Sequence, residues 1–111
     1  MTVCNLTNKK CQPCTGSDAP MTIDKISMLL GKLEQWQLSD DHKFISKRFT
    51  FKGFYRTMAF VNAIAWIANQ EGHHPDMKIG YNYCEVLFTT HALDGLSEND
   101  FICAAKVDTL L

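Results

Sequence analysis

A chain of 111 residues, 46% hydrophobic and 21% charged, has room for one compact domain and the composition of an ordinary globular protein. A formal net charge of −1 gives no general pull toward phosphate backbones or anionic lipid, so neither nucleic acid nor membrane is expected as a partner. The first residues lack the continuous apolar run of a secretory signal, and no stretch has the length of a membrane span, so a cytoplasmic location is expected.

Residues 1–20 carry Cys4, Cys11, Pro13, Cys14, Gly16 and Pro20 and show neither helical nor strand periodicity. They read as a flexible arm, with the folded domain over 21–111. The five cysteines are an odd number, and Cys84 and Cys103 sit inside apolar patterns. Reduced thiols packing as small hydrophobes are expected, not a disulfide framework. Cys11 and Cys14 have a C-x-x-C spacing, but without a matching pair they read as incidental thiols of the arm, with a zinc site on Cys4, Cys11 and Cys14 as the weaker alternative.

Ile23, Ile26, Leu29, Leu30 and Leu33 recur at three- and four-residue spacing, with Asp18 or Thr22 available as a cap and Gly31 near the end; this predicts a first helix. Trp36 to Leu38, a polar turn at Ser39-Asp40-Asp41, and His42 to Phe51 predict a hairpin. From Gly53 to about Gln70 two apolar stripes run along a second helix: Phe54, Met58, Val61, Ala65 and Ala68 on one, Phe60, Ile64 and Ile67 on the other. A helix in so small a domain covers a sheet with one face, so the second stripe predicts burial against another subunit, a homo-oligomer joined through helix 53–70. Met77 to Tyr81, a turn near Asn82-Tyr83, and Cys84 to His91 predict a second hairpin. Ser97 with Asp100 three residues on resembles a capping box opening a third helix, with Phe101, Ala104, Ala105 and Val107 inward. The resulting order, α-β-β-α-β-β-α, predicts an α+β fold: a four-stranded antiparallel sheet with three helices on one side.

Chemistry concentrates at one hairpin. His73 and His74 precede its first strand and His91 ends its second, so antiparallel pairing brings the three imidazoles to one edge. Adjacent strand residues point to opposite faces, so His73 and His74 share a pocket only if their segment is loop, which Gly72 and Pro75 favour. Asp100, in the first turn of the third helix, can reach the same edge. A lone loop histidine usually makes no more than a backbone hydrogen bond, but three together suit proton transfer around a carbon that loses water. Zinc is the competing reading, disfavoured because consecutive residues seldom both reach one ion.

His73-His74-Pro75, Tyr81, His91 and Asp100, with Gly95-Leu96-Ser97-Glu98 between the last two, form a spacing that resembles the pterin-4a-carbinolamine dehydratases over residues 21–111. The resemblance implies dehydration of 4a-hydroxytetrahydropterin to quinonoid dihydropterin, the recycling step after aromatic amino-acid hydroxylation, with no metal or cofactor. It implies catalytic roles for His73, His74, His91 and Asp100. It also implies a pterin site built from His73, His74, Pro75 and His91. His73 and His91 would form the acid–base pair, His74 would hold the pterin, and Asp100 would orient an imidazole. One departure stands out: family members commonly carry an acid four positions before the first histidine, where this chain has Asn69, and Glu71 substitutes only if the helix end unwinds. The resemblance implies a homodimer or homotetramer, and it leaves a second role open, a binding module, because some animal relatives also help a transcription factor dimerise.

Overall fold

The computed structural model describes residues 6–12 and 19–111. In chain order it contains α1 (Ile23–Leu30), β1 (Gln37–Leu38), β2 (Ile45–Thr50), α2 (Phe54–Glu71), β3 (Asp76–Ile79), β4 (Tyr83–Phe88), a 3-10 turn at His91–Leu93, and α3 (Glu98–Asp108). The strands form one antiparallel sheet in the order β1-β2-β4-β3, and the expected α+β order holds. Cys4, Cys14 and the possible cap Asp18 lie outside the described residues. No helix among the described residues is long and apolar enough to cross a membrane.

Alternation decides which face of the sheet is covered. On β4, Cys84, Val86 and Phe88 are buried while Tyr83, Glu85 and Leu87 are half-exposed. Across the sheet Ile45 pairs with Phe88 and Phe49 with Cys84, so one continuous apolar face meets the helices. The other face carries the row Arg48, Glu85 and Lys78, with the Arg48 guanidinium 3.9 Å over the Tyr83 ring. Fully burying a Phe such as Phe88 or Phe101 contributes roughly 1.5–3 kcal/mol.

The helix α3 is buried on almost every side, from Phe101 through Ala105 and at Val107. Its alanines, Ala104 and Ala105, let backbone approach the sheet closely, and Leu6 from the arm packs into the same core. At its far end Asp108 accepts from Trp36 Nε1 at 3.0 Å and from Lys47 Nζ at 2.9 Å, which ties the helix to the first hairpin. Thr22 caps α1, its Oγ1 accepting from Lys25 N at 3.4 Å.

Two expectations need correction. The core face of α2 consists of Thr57, Phe60, Val61, Ile64 and Ala68, which lies midway between the two predicted stripes at 100° per residue. Phe60 and Ile64 are 5% and 1% exposed and belong to the core of a single chain, whereas Phe54 is exposed. Thr57 takes the centre of that face because its hydroxyl shares its one proton between two carbonyl acceptors, Gly53 O at 2.9 Å and Tyr81 O at 3.2 Å. The last strand also ends earlier than expected, at Phe88. Thr90 N donates to Gly95 O at 2.8 Å and closes a tight loop, which puts His91 in the 3-10 turn.

Candidate active site

Helix α2 stops at Gly72, which adopts φ +66° and donates its N–H to Ala68 O at 2.9 Å. Glycine enters this left-handed region without the Cβ conflict that other residues meet, so the chain leaves the helix sharply here. His73, His74 and Pro75 follow as loop, and β3 begins at Asp76 opposite Leu87. Continuing that register sets His74 and His73 against Thr89 and Thr90, the residues directly before His91.

A cavity of about 560 Å³ opens at this edge. His73, His74, Pro75 and His91 all line it, with Glu71, Thr89, Thr90 and Asn99. The three histidines therefore converge as predicted. His74 and His91 are exposed, while His73 is half-buried with its ring parallel to Phe88 at 6.1 Å between centroids.

Asp100 stands behind His73, not in the cavity wall. Its side chain is fully buried, with Oδ1 2.6 Å from His73 Nε2. Oδ2 accepts from Thr90 Oγ1 at 2.8 Å and from Ser97 N at 3.0 Å. Thr90 and Ser97 hydroxyls lie 2.7 Å apart. The carboxylate thus closes the first turn of α3 and holds an imidazole with the same two oxygens. A carboxylate acceptor makes Nε2–H the donor, which fixes the ring's orientation and tautomer.

Glu71 reaches the cavity wall from an intact last turn of α2, so no unwinding is needed. Both its oxygens are engaged: Oε1 accepts from Cys11 N at 2.9 Å and Oε2 from Lys106 Nζ at 2.7 Å. Burial pushes its carboxyl up, but the Lys106 ammonium and the Cys11 N–H outweigh this and hold it below the ordinary value. Asn69 is exposed and Tyr81 stacks on Phe54; neither lines the cavity.

Sequence reasoning found the Ser97–Asp100 capping box but missed Thr90 as a partner of Asp100, and Cys11 and Gln12 as part of the wall. Thr90 offered one signal, its place directly before His91. The arm residues offered none, since nothing in their pattern points at α3.

Fold and site together define a small α+β protein with an imidazole cluster, backed by a buried carboxylate, in an open cavity. Residues 19–110 match the family described as pterin 4 alpha carbinolamine dehydratase. A Nitrosomonas eutropha protein provisionally named as such a dehydratase is 58% identical over 98% of this chain and 96% of its own length. A similarly named protein of Legionella pneumophila is 56% identical over 96% of each. Among solved structures, a transcriptional coactivator/pterin dehydratase from Brucella melitensis superposes with a TM-score of 0.78 at 30% identity, covering 82% of this chain and 97% of that one. A pterin dehydratase-like protein described as a RuBisCO assembly factor in the alpha-carboxysome gives 0.60 at 28% identity, covering 69% and 89%. The chain belongs to the pterin-4-alpha-carbinolamine dehydratase family.

Proposed function

We propose that this chain dehydrates 4a-hydroxytetrahydropterin to quinonoid dihydropterin, in the cytoplasm, by imidazole acid–base catalysis in the histidine-lined cavity. The observation that carries the reading is the His73–Asp100 contact of 2.6 Å at the back of a cavity walled by His74 and His91. With Nε2 committed to Asp100, Nδ1 of His73 is the nitrogen that exchanges a proton with substrate. One imidazole of the His73/His91 pair protonates the departing 4a-hydroxyl, the C–O bond breaks and water leaves. The other takes a ring N–H proton as the new C=N bond forms, so protons balance across the step. His74 and Pro75 hold the flat ring, and Asp100 acts as a positioning residue through His73.

Decay of 4a-hydroxytetrahydropterin, followed by absorbance, tests this. His73→Ala or His91→Ala is expected to lower kcat by roughly 10²–10⁴-fold. Wild-type decay no faster than buffer would end the enzymatic reading.

A second reading rests on a specific surface. Tyr55 and Trp66 are 87% and 65% exposed on α2, on the side opposite its core face. Such a patch suits self-association or capture of a partner helix, and the Brucella melitensis relative carries the coactivator description as well as the dehydratase one. Assembly through α2 is part of this proposal, with these aromatics in place of Phe60 and Ile64.

A further inference from the structure

Cys11 and Cys103 take no part in the dehydration, yet their sulfurs lie 3.5 Å apart although 92 positions separate them in sequence. Both are reduced. Cys11 is half-buried in the cavity wall, and Cys103 is fully buried one turn beyond Asp100 on α3. The pairing is built rather than incidental. Cys11 N donates to Glu71 Oε1 at 2.9 Å, Gln12 N donates to Asn99 Oδ1 at 2.9 Å, and Asn99 Nδ2 donates back to Gln12 O at 2.6 Å. Cys11 Sγ also lies 3.7 Å from Asn99 O. These bonds hold the arm against the end of α2 and the start of α3, with the two thiols in contact.

We propose that Cys11 and Cys103 form a thiol–disulfide exchange site at the cavity wall, taking low-molecular-weight disulfides as its oxidant and closing to an internal disulfide. Accessibility sets the order of events, because, of these two thiols, Cys11 meets solvent and Cys103 does not. Its thiolate attacks one sulfur of the small disulfide: a mixed disulfide forms on Cys11, the original S–S bond breaks, and the first small thiol leaves with the proton Cys11 lost. Cys103 then attacks Cys11 Sγ. The Cys11–Cys103 bond forms, the mixed disulfide breaks, and the second small thiol leaves with the Cys103 proton. The protein loses two electrons and two protons, and one small disulfide becomes two thiols. A disulfide sulfur pair is about 2.05 Å apart, so the contact closes by roughly 1.5 Å. The Cys11 hydrogen bond and then burial push the Cys103 thiol far up, which keeps it from acting first.

The test treats the full chain with oxidised glutathione at graded ratios to reduced glutathione, then blocks residual thiols and maps peptides by mass spectrometry. The expected product is a Cys11–Cys103 cross-linked peptide, lost on adding excess reduced glutathione and retained in Cys14→Ser. In Cys103→Ser the reaction should stop at glutathione on Cys11, with the adduct rising at least tenfold over wild type. A Cys11–Cys14 link in the wild-type chain, or a lasting adduct on Cys11 with Cys103 unchanged, would overturn the proposal. Wild-type protein that stays fully reduced at every ratio would do the same. None of these readouts depends on dehydratase activity.

Discussion

Asp100 places a buried carboxylate on three partners at once: His73, Thr90 and Ser97. Asparagine has the same shape but offers one acceptor and one donor face. The oxygen can still serve Ser97 N–H and the Thr90 hydroxyl, which leaves the amide N–H₂ facing His73 Nε2 and forces that nitrogen to accept. The ring's proton then moves to the nitrogen that faces substrate. Asp100→Asn is therefore expected to lower kcat on the order of 10²–10⁴-fold with little change in KM, in a chain that still folds. A variant that loses stability and activity in parallel, with KM rising, would make Asp100 a helix cap only. Glu71 gives a pH signature of a different kind. Its folded value lies below the ordinary 4.5, because the Lys106 ammonium and the Cys11 N–H overcome the opposing effect of burial. A depressed carboxyl stabilises the fold fully above its unfolded value and loses that contribution as pH falls through the folded value. Glu71→Gln should cost about 1.5–3 kcal/mol in urea unfolding at neutral pH, and its gap to wild type should shrink as pH drops below 4.5. A gap independent of pH would show that the Lys106 pairing contributes nothing.

The second hairpin is the element that delivers the histidines, and its tight turn has one position where side-chain volume is decisive. A Cβ on Gly80 would stand 2.0 Å from Tyr83 Cε1, so any larger residue must push the ring off its place under Arg48. Gly80→Ala is expected to destabilise by roughly 1–3 kcal/mol, read as a lower urea midpoint with an unchanged m-value. Full stability would mean that the ring swings away freely. Much of this hairpin was legible in the sequence, because alternation over Cys84, Val86 and Phe88 fixes the face and the short turn fixes the register. From that register the meeting of His73, His74 and His91 followed, and the capping-box spacing from Ser97 placed Asp100 at the third position of α3. Other features were not legible, for physical reasons. The core face of α2 lies between two apolar stripes, and only tertiary contacts select it, with Thr57 buried by virtue of two hydroxyl bonds that no hydropathy pattern contains. The strand's end at Phe88 depends on the Thr90–Gly95 pairing. The arm's grip on α2 and α3 rests on Glu71 and Asn99, whose bonds to residues 11 and 12 span more than half the chain.

At the scale of the whole molecule, the cavity and the α2 aromatics occupy different surfaces, which makes assembly and chemistry separable. All the residues placed in the proposed mechanism, His73, His74, Pro75, His91 and Asp100, belong to one chain and reach their positions through contacts within it. Tyr55 and Trp66 project from the side of α2 opposite Thr57, Phe60, Val61, Ile64 and Ala68, so burying them in a second copy draws on none of the core. An aromatic side chain buries roughly 150–250 Å² at an interface, and two from each copy supply a large part of what a stable dimer needs. Trp66→Glu should convert an associated species to monomer in sedimentation at micromolar concentration, because a desolvated carboxylate in that interface has no partner. Helical content should be unchanged, since the position lies outside the core. Activity per chain should stay within about twofold if the cavity is self-sufficient, a difference of well under 1 kcal/mol in barrier height. A wild-type chain that sediments as a monomer would remove self-association and leave the aromatic patch to a different partner. A Trp66→Glu monomer that loses catalysis would instead show that the second copy completes the pterin site.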